Sequence, residues 1–155
     1  MGTRAIFTFR GGYSEDDSSY GSLFDRPVSV YKHWDGDPLS AAGFLARAQS
    51  NAWPAPRFEC DEFAAAFVAA NKQGCGDLRI LPQDTPPRDY AHDAAYAYFV
   101  YPSFTGVLIV EAYEVDWRSS AASPVRDKLI YQGLLAEMAQ AFAPGKAARP
   151  FDKED

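Results

Sequence analysis

The sequence predicts an α+β protein, in which an antiparallel sheet of four to five strands carries about three helices on one side. Short segments that alternate in polarity are typical of strands, and longer segments with an apolar residue about every four positions are typical of helices. The strand-like segments also come in neighbouring pairs that suit hairpins. The predicted order is ββααβββα, or ββααββα if the short third strand does not form.

The first two strands are predicted at residues 3–10 and 28–33, and we expect them to pair as a hairpin. Alternation places Val30 and Lys32 on the same face of the second strand. The connecting residues 11–27 are about three times longer than a usual hairpin loop, and they are crowded with Gly, Ser and Asp. This segment is predicted to be a mobile insertion.

Two helices are predicted to follow. Asp37 and Pro38 form a good helix start, because the Asp side chain can accept from an amide of the first turn and proline there loses no hydrogen bond. This helix should reach about Asn51. A second helix is predicted from about 61 to 73, where two phenylalanines lie one turn apart, and Gly74 is its natural end.

The second half of the chain is predicted to add strands and one more helix. A short apolar segment at 78–81 can form an edge strand. Residues 95–101 and 107–115 are the strongest hairpin prediction, since a five-residue connector that ends in Gly joins them. The last helix is predicted to begin at Ser123 and Pro124. Apolar residues recur at every fourth position within it, at Ile130, Leu134, Met138 and Phe142.

Length and composition predict one domain at residues 1–142, followed by a flexible tail at 143–155. The chain has 155 residues, of which 47% are hydrophobic, and a chain of this size can bury roughly 70% of its unfolded surface. The net charge of −6 argues against direct binding of nucleic acid, which depends mainly on Lys and Arg. We expect a cytoplasmic protein without a membrane partner, because no signal-peptide or membrane-spanning pattern is visible.

Metal, cofactor and thiol chemistry find little support in the sequence. Two cysteines and two histidines do not form the paired spacings of a zinc site. Gly74-Cys75-Gly76 lacks the further Gly and the Lys of phosphate-binding loops, and no local signature favours Cys75 as a nucleophile with His92 as its base. We predict no metal and no cofactor, with Cys60 and Cys75 as reduced thiols.

The segment 30–38 (VYKHWDGDP) brings an imidazole, an indole and two carboxylates to the point where a strand turns into a helix. Because imidazole and carboxylate are the usual acids, bases and metal ligands, His33 and Asp35 are candidate catalytic residues. Arg4, on the neighbouring strand, could hold an anionic group. Turn chemistry is an equally good explanation, with Asp35 in a turn, His33 at a strand end and Arg4 ion-paired to Asp35.

The start Met1–Arg4 and the block Tyr31–Pro38 resemble those of small, mostly uncharacterised proteins of phages, prophages and microbial genomes. The blocks of those proteins are similar to Tyr-x-His-Trp-Asp-Gly-Tyr-Pro, and the Tyr-rich segment 96–113 is similar in kind. Asp37 departs from the pattern, which has an aromatic residue at that position. The resemblance implies a phage-type context and carries over no catalytic residue.

Acidic and aromatic side chains are the candidate contact residues for a partner. The predicted insertion carries adjacent carboxylates, and Tyr and Trp are enriched where proteins meet. The candidates are Glu15, Asp16, Asp17, Trp34, Tyr96, Tyr98 and Tyr113. The alternative for the tyrosines is that they are half-buried neighbours across a sheet.

Two functions stay open on the sequence. The first is a non-catalytic interaction protein, phage or prophage encoded, that binds and modulates, for example inhibits, a host protein or defence complex. The alternative is a small hydrolase that uses His33, Asp35 and Arg4, with or without a metal ion. The first is favoured, because no spacing matches a known catalytic arrangement and an acidic protein suits a basic partner surface. The oligomeric state is not predicted.

Overall fold

The computed structural model describes residues 3–11, 26–54, 57–82, 94–115 and 128–144. Within these ranges the strands are β1 (Ala5–Phe9), β2 (Val28–Lys32), β3 (Leu78–Ile80), β4 (Tyr96–Pro102), β5 (Leu108–Glu114) and β6 (Lys128–Leu134). The helices are α1 (Pro38–Asn51), α2 (Cys60–Asn71) and α3 (Leu135–Ala141). The α+β class is confirmed. Among the described residues, no helix has the length and apolar character that crossing a membrane requires.

The six strands form one mixed sheet in the order β3-β2-β1-β4-β5-β6. The two predicted hairpins, β1-β2 and β4-β5, are antiparallel as expected, and the segment at 78–80 forms the predicted edge strand against β2. The sheet nevertheless has more strands than the four to five predicted, and β1 lies parallel to β4. Alternation within each hairpin does not reveal how the two hairpins join, so the prediction of a purely antiparallel sheet was wrong.

The C-terminal segment was wrongly predicted as one long helix. Lys128–Leu134 form β6, and only Leu135–Ala141 are helical. β6 pairs with the outer edge of β5 and so satisfies the backbone groups of that edge, and its Tyr131 side chain is buried. This pairing overrides the period of four in the apolar residues. The predicted helix start at Ser123 lies outside the described residues.

The core lies between the sheet and the three helices, which pack on one face of the sheet as predicted. Its centre is aromatic. The ring of Phe7 lies 4.7 Å from that of Phe67 and 4.9 Å from that of Tyr98. The ring of Phe9 lies 5.1 Å from that of Phe63. These contacts join β1 and β4 to α2, so that α2 is held over the centre of the sheet.

The opposite face of the sheet has a smaller apolar cluster beside β1, β2 and β4. Its buried members are Ile6, Tyr31, Leu81, Ala94 and Ala97. Alternation explains the division, because successive residues of a strand point to opposite faces. Val30 and Lys32 share one face, as predicted, and this face is the helix side, while Tyr31 lies on the other side.

Three sequence predictions lie wholly or mostly outside the described residues. They are the mobile insertion at 11–27, the flexible tail at 143–155, and the acidic contact residues Glu15, Asp16 and Asp17.

Candidate functional site

The candidate site occupies residues 33–37, which connect β2 to α1 and are called here the β2–α1 corner. Several of its backbone groups form hydrogen bonds. The amide of His33 donates to the Asp77 carbonyl oxygen at 2.7 Å, and the amide of Gly36 donates to the Thr3 carbonyl oxygen at 2.7 Å. The carbonyl of Gly36 accepts from the Tyr98 hydroxyl at 2.6 Å. The corner is therefore hydrogen-bonded to Thr3 just before β1, to β4 and to the turn before β3.

Gly36 allows the corner to approach β1 closely. A Cβ atom at this position would lie 2.6 Å from the Ala5 Cβ and 2.9 Å from the Thr3 carbonyl oxygen, which is too close for any side chain. Asp35, immediately before it, has φ +62, in the left-handed region that Asp tolerates better than most residues. The sequence Asp35-Gly36 thus forms the sharp turn that sequence analysis offered as the structural explanation.

Asp37 caps α1, as predicted. Its Oδ2 accepts from the Ser40 amide at 3.1 Å, and Pro38 occupies the first helical position. The nearby Tyr98 hydroxyl lies in the core, and its burial, together with Tyr96 and Asp37, raises the pKa of that hydroxyl well above its usual value. A neutral Tyr98 is therefore available to donate to Gly36 across the whole physiological pH range.

Arg4 and His33 meet where the chain segments of β1 and β2 lie side by side. Arg4 Nε donates to His33 Nδ1 at 3.4 Å, and the Tyr31 hydroxyl lies 3.5 Å from the same nitrogen. Both contacts involve Nδ1, so this ring nitrogen faces Arg4 and Tyr31.

Asp35 does not complete an acid–base pair with His33. Its side chain is exposed, and within the described ranges no residue forms a hydrogen bond or ion pair with its carboxylate. Arg4 contacts His33 instead of forming the predicted ion pair with Asp35. The corner thus brings together two of the three candidate catalytic residues, and these two lack an orienting carboxylate from Asp35.

Trp34 lies at the surface of the corner and is 37% exposed. Its indole contacts the His33 ring edge to face, with 5.1 Å between ring centroids. On the other side it reaches Gly74, where a Cβ would lie 4.0 Å from the indole Cζ3. An aromatic surface beside Arg4 and His33 is the feature of this corner most suited to contact another molecule.

Lys32 and Asp77 form a buried ion pair beneath the corner, which sequence reasoning missed. Lys32 Nζ lies 2.8 Å and 2.9 Å from the two carboxylate oxygens of Asp77, and both side chains are 0% exposed. Asp77 Oδ2 also accepts from the Gln73 amide at 2.9 Å, and Lys32 Nζ lies 4.5 Å from the centroid of the Phe44 ring. The pair joins β2 to the loop before β3. The only sequence signal was a lysine in phase with Val30.

A second polar group, called here the Glu111 cluster, lies on the sheet face opposite the helices. The hydroxyls of Tyr101 and Tyr113 donate to the Glu111 carboxylate at 2.6 Å and 2.8 Å. Arg10 stacks its guanidinium 3.8 Å over the Tyr101 ring and lies 3.9 Å from the same carboxylate. Burial and the bond to Glu111 raise the pKa of Tyr101. Gln132 Nε2 donates to Glu111 at 3.4 Å.

The tyrosines proposed as contact residues divide between the two faces of the sheet. Tyr98 is 0% exposed in the core and presents no surface to a partner. Tyr96 is half-buried and stacks on Tyr98 with 6.2 Å between ring centroids. Tyr113 is half-buried in the Glu111 cluster and packs edge to face on Phe99. Cross-strand packing, the alternative considered from the sequence, describes these three residues better than an open contact surface.

Among the described residues, no three His, Cys, Asp or Glu side chains are grouped so as to hold a metal ion. Cys60 is buried and Cys75 is exposed, and neither forms a disulfide. The described part of the corner therefore offers donors, an indole and a solvent-exposed carboxylate as its chemical groups.

Comparison of the chain with protein-family models gives no match. Comparisons with the curated proteins and with solved structures give none either.

Proposed function

We propose that this is a non-catalytic interaction protein that binds and modulates a host protein or protein complex through the β2–α1 corner. The observation that carries the proposal is the exposed Trp34 indole, which lies between His33 and Gly74 beside the hydrogen-bonded amides of His33 and Gly36. A rigid aromatic side chain loses little conformational freedom on binding, and Trp is enriched among residues that dominate interface energies.

The arrangement around His33 favours binding over hydrolysis. A hydrolytic base needs an imidazole nitrogen that can accept a proton and a carboxylate that orients the ring. His33 Nδ1 instead faces Arg4 and the Tyr31 hydroxyl, and the Asp35 carboxylate is exposed to solvent. An imidazole beside an exposed indole suits contact with a polar and an apolar group of a partner.

We further propose that the protein is cytoplasmic, is encoded by a phage or prophage, and inhibits a host defence complex. The net charge of −6 supports a partner with a basic surface, because complementary charge accelerates encounter and disfavours wrong partners. Glu15, Asp16 and Asp17 would supply part of this negative surface. Nucleic acid is not proposed as a direct ligand.

The test compares two exposed tryptophans. Tagged wild-type protein, Trp34→Ala and Trp53→Ala are used to capture partners from a bacterial lysate, and the captured protein is then purified and titrated by calorimetry. Trp53 is 42% exposed and stacks under Arg57, far from the corner in the sequence, so it controls for loss of a surface indole. We expect Trp34→Ala to weaken binding by about 2 kcal/mol or more, as for an interface hot spot. Trp53→Ala should bind as wild type does.

Two further variants separate the alternatives. Asp35→Asn should retain binding, whereas charge reversal of Glu15, Asp16 and Asp17 should slow association at low salt. Equal binding by the Trp34→Ala variant would contradict the proposal. If no partner is captured and the purified protein hydrolyses a model ester in a manner that depends on His33 and Asp35, the hydrolase alternative replaces it.

A further inference from the structure

The edge strand β3 carries backbone groups that point away from the sheet. Asp77 and Leu81 bond to β2, through the His33 amide at 2.7 Å and the Ser29 carbonyl at 2.9 Å. In an antiparallel ladder alternate residues bond to the same neighbour, so the intervening Leu78 and Ile80 direct their amide and carbonyl groups outward. Across the described part of the chain, no hydrogen bond from another segment reaches these outward groups.

The segment around β3 is positively charged, although the chain as a whole is acidic. Between residues 72 and 82, Lys72 and Arg79 are exposed, and the one acidic residue, Asp77, is 0% exposed and paired with Lys32. Arg79 lies opposite Tyr31 in the sheet, next to the strand that carries His33. The exposed charges that an incoming chain meets along this segment are therefore cations.

An apolar contact accompanies these charges. Ile80 is 56% exposed, an unusual position for a large aliphatic side chain. At the other end of β3, Trp34 lies over Gly74 in the turn that leads into the strand. The edge therefore combines outward backbone groups with an aliphatic side chain at one end and an indole at the other, the features by which sheet edges bind extended peptides.

The other edge strand, β6, is less suited to pairing with a further strand. β6 has a register shift in its pairing with β5, in which Ile130 is the extra residue between the partners of Ala112 and Tyr113. Such bulges twist an edge and hinder further pairing, and they are a common protection against unwanted strand addition. β3 pairs with β2 in regular register over its three residues.

We propose that β3 binds an extended, acidic peptide segment of the partner, which pairs with Leu78 and Ile80 as a seventh strand and places carboxylates beside Arg79. This inference rests on the proposed interaction function and specifies one acidic segment of a partner whose surface is otherwise basic. Main-chain hydrogen bonds would provide affinity along the strand, while the charge of alternate side chains would provide selectivity.

The first experiment selects binders from a displayed library of random ten-residue peptides against the full chain. We expect enrichment of sequences with Asp or Glu at alternate positions. Their affinity is then measured by fluorescence anisotropy with the wild-type chain, Ile80→Pro, Arg79→Glu and Lys128→Glu. Ile80→Pro removes an outward amide without removing a bond to β2. Lys128→Glu is the matched control, because Lys128 is an exposed cation on the opposite edge strand.

Ile80→Pro and Arg79→Glu should each lower the affinity for the acidic peptides by about tenfold or more. Lys128→Glu should leave that affinity unchanged. Arg79→Glu should also gain affinity for the same peptides with Lys in place of each acidic residue. Hydrogen exchange followed by NMR provides a readout at single residues. The amides of Leu78 and Ile80 should exchange rapidly in the unbound protein and become protected with peptide, whereas that of Arg79 should be protected in both states.

Peptides without acidic alternation, an affinity insensitive to Ile80→Pro, or no selected peptide at all would overturn this inference. Failure here is distinguishable from failure of the proposed function. A purified partner that binds wild type and Ile80→Pro equally, but loses affinity with Trp34→Ala, would leave the interaction function in place and remove only the strand-addition mechanism.

Discussion

The β2–α1 corner and the Glu111 cluster both bury a carboxylate, but they stabilise it differently. Beneath the corner, Asp77 is neutralised directly by the Lys32 ammonium at 2.8 Å, with both side chains 0% exposed. In the cluster, two tyrosine hydroxyls donate to Glu111, and the Arg10 guanidinium lies farther away, at 3.9 Å. The Asp77 carboxylate has one cation and one backbone amide as partners, whereas Glu111 is shared by several side-chain donors.

This difference determines how each region responds to substitution. Removing one member of a fully desolvated pair leaves a bare charge in the interior, which is strongly unfavourable. Removing one donor from a shared network leaves the remaining donors in place. We therefore expect the corner to be the more sensitive region.

Lys32→Met should destabilise the protein by about 3–5 kcal/mol, because Asp77 would be left buried without a countercharge. Arg10→Met should have a smaller effect, since Glu111 keeps the hydroxyls of Tyr101 and Tyr113. The free energies of unfolding are measured by urea denaturation. The double variant Lys32→Met/Asp77→Asn should recover much of the loss, because no buried charge remains. Equal losses of unfolding free energy in Lys32→Met and Arg10→Met would show that the two regions do not differ in sensitivity.

Gly36→Ala should destabilise the protein by about 1–3 kcal/mol, because the new methyl group would overlap β1 at 2.6 Å and force the backbone to move. The matched control is Gly43→Ala in α1, where the new Cβ would meet only Arg47 at the ordinary distance of 3.6 Å. That control should stabilise the protein by about 0.5–1 kcal/mol, through helix propensity. Thermal denaturation of both variants measures the contrast, and a loss in both would mean that the corner is not specially constrained.

Alkaline pH should weaken the fold through both regions, and more through the corner. Burial raises the pKa of Tyr98 well above its usual value, and burial with the bond to Glu111 raises the pKa of Tyr101. A tyrosine whose pKa in the folded protein lies above the unfolded value of about 10 stays neutral longer when folded. Its contribution to the free energy of unfolding is complete below pH 10 and is lost as pH rises through the pKa of the folded protein.

Urea denaturation between about pH 9 and 11 measures this dependence, since the unfolded tyrosines ionise near pH 10. Tyr98→Phe should reduce the pH dependence of unfolding most, Tyr101→Phe should reduce it less, and substitution of an exposed aromatic residue such as Phe104→Leu should leave it unchanged. A larger effect from Tyr101→Phe would reverse the order of the two regions.

Local features of the chain allowed much of the fold and part of the site to be predicted. The cap of α1 by Asp37, the turn at Asp35-Gly36 and the two hairpins each depend on residues close together in sequence. The contact of Arg4 with His33 depends on the register of β1 against β2, which the sequence did not specify. The proposed catalytic use of Asp35 also lacked local support, because alternation and turn chemistry do not specify where a turn carboxylate points.

Local patterns in the sequence predicted the α+β class, the limits of α1, the edge strand near residue 78 and the shared face of Val30 and Lys32. Tertiary structure alone decided that β1 runs parallel to β4, that residues 128–134 form a strand, and that Lys32 meets Asp77, 45 residues away. The physical reason is that caps, turns and alternation act within a few residues. Strand partners and buried ion pairs depend on which distant segments the packed core brings together.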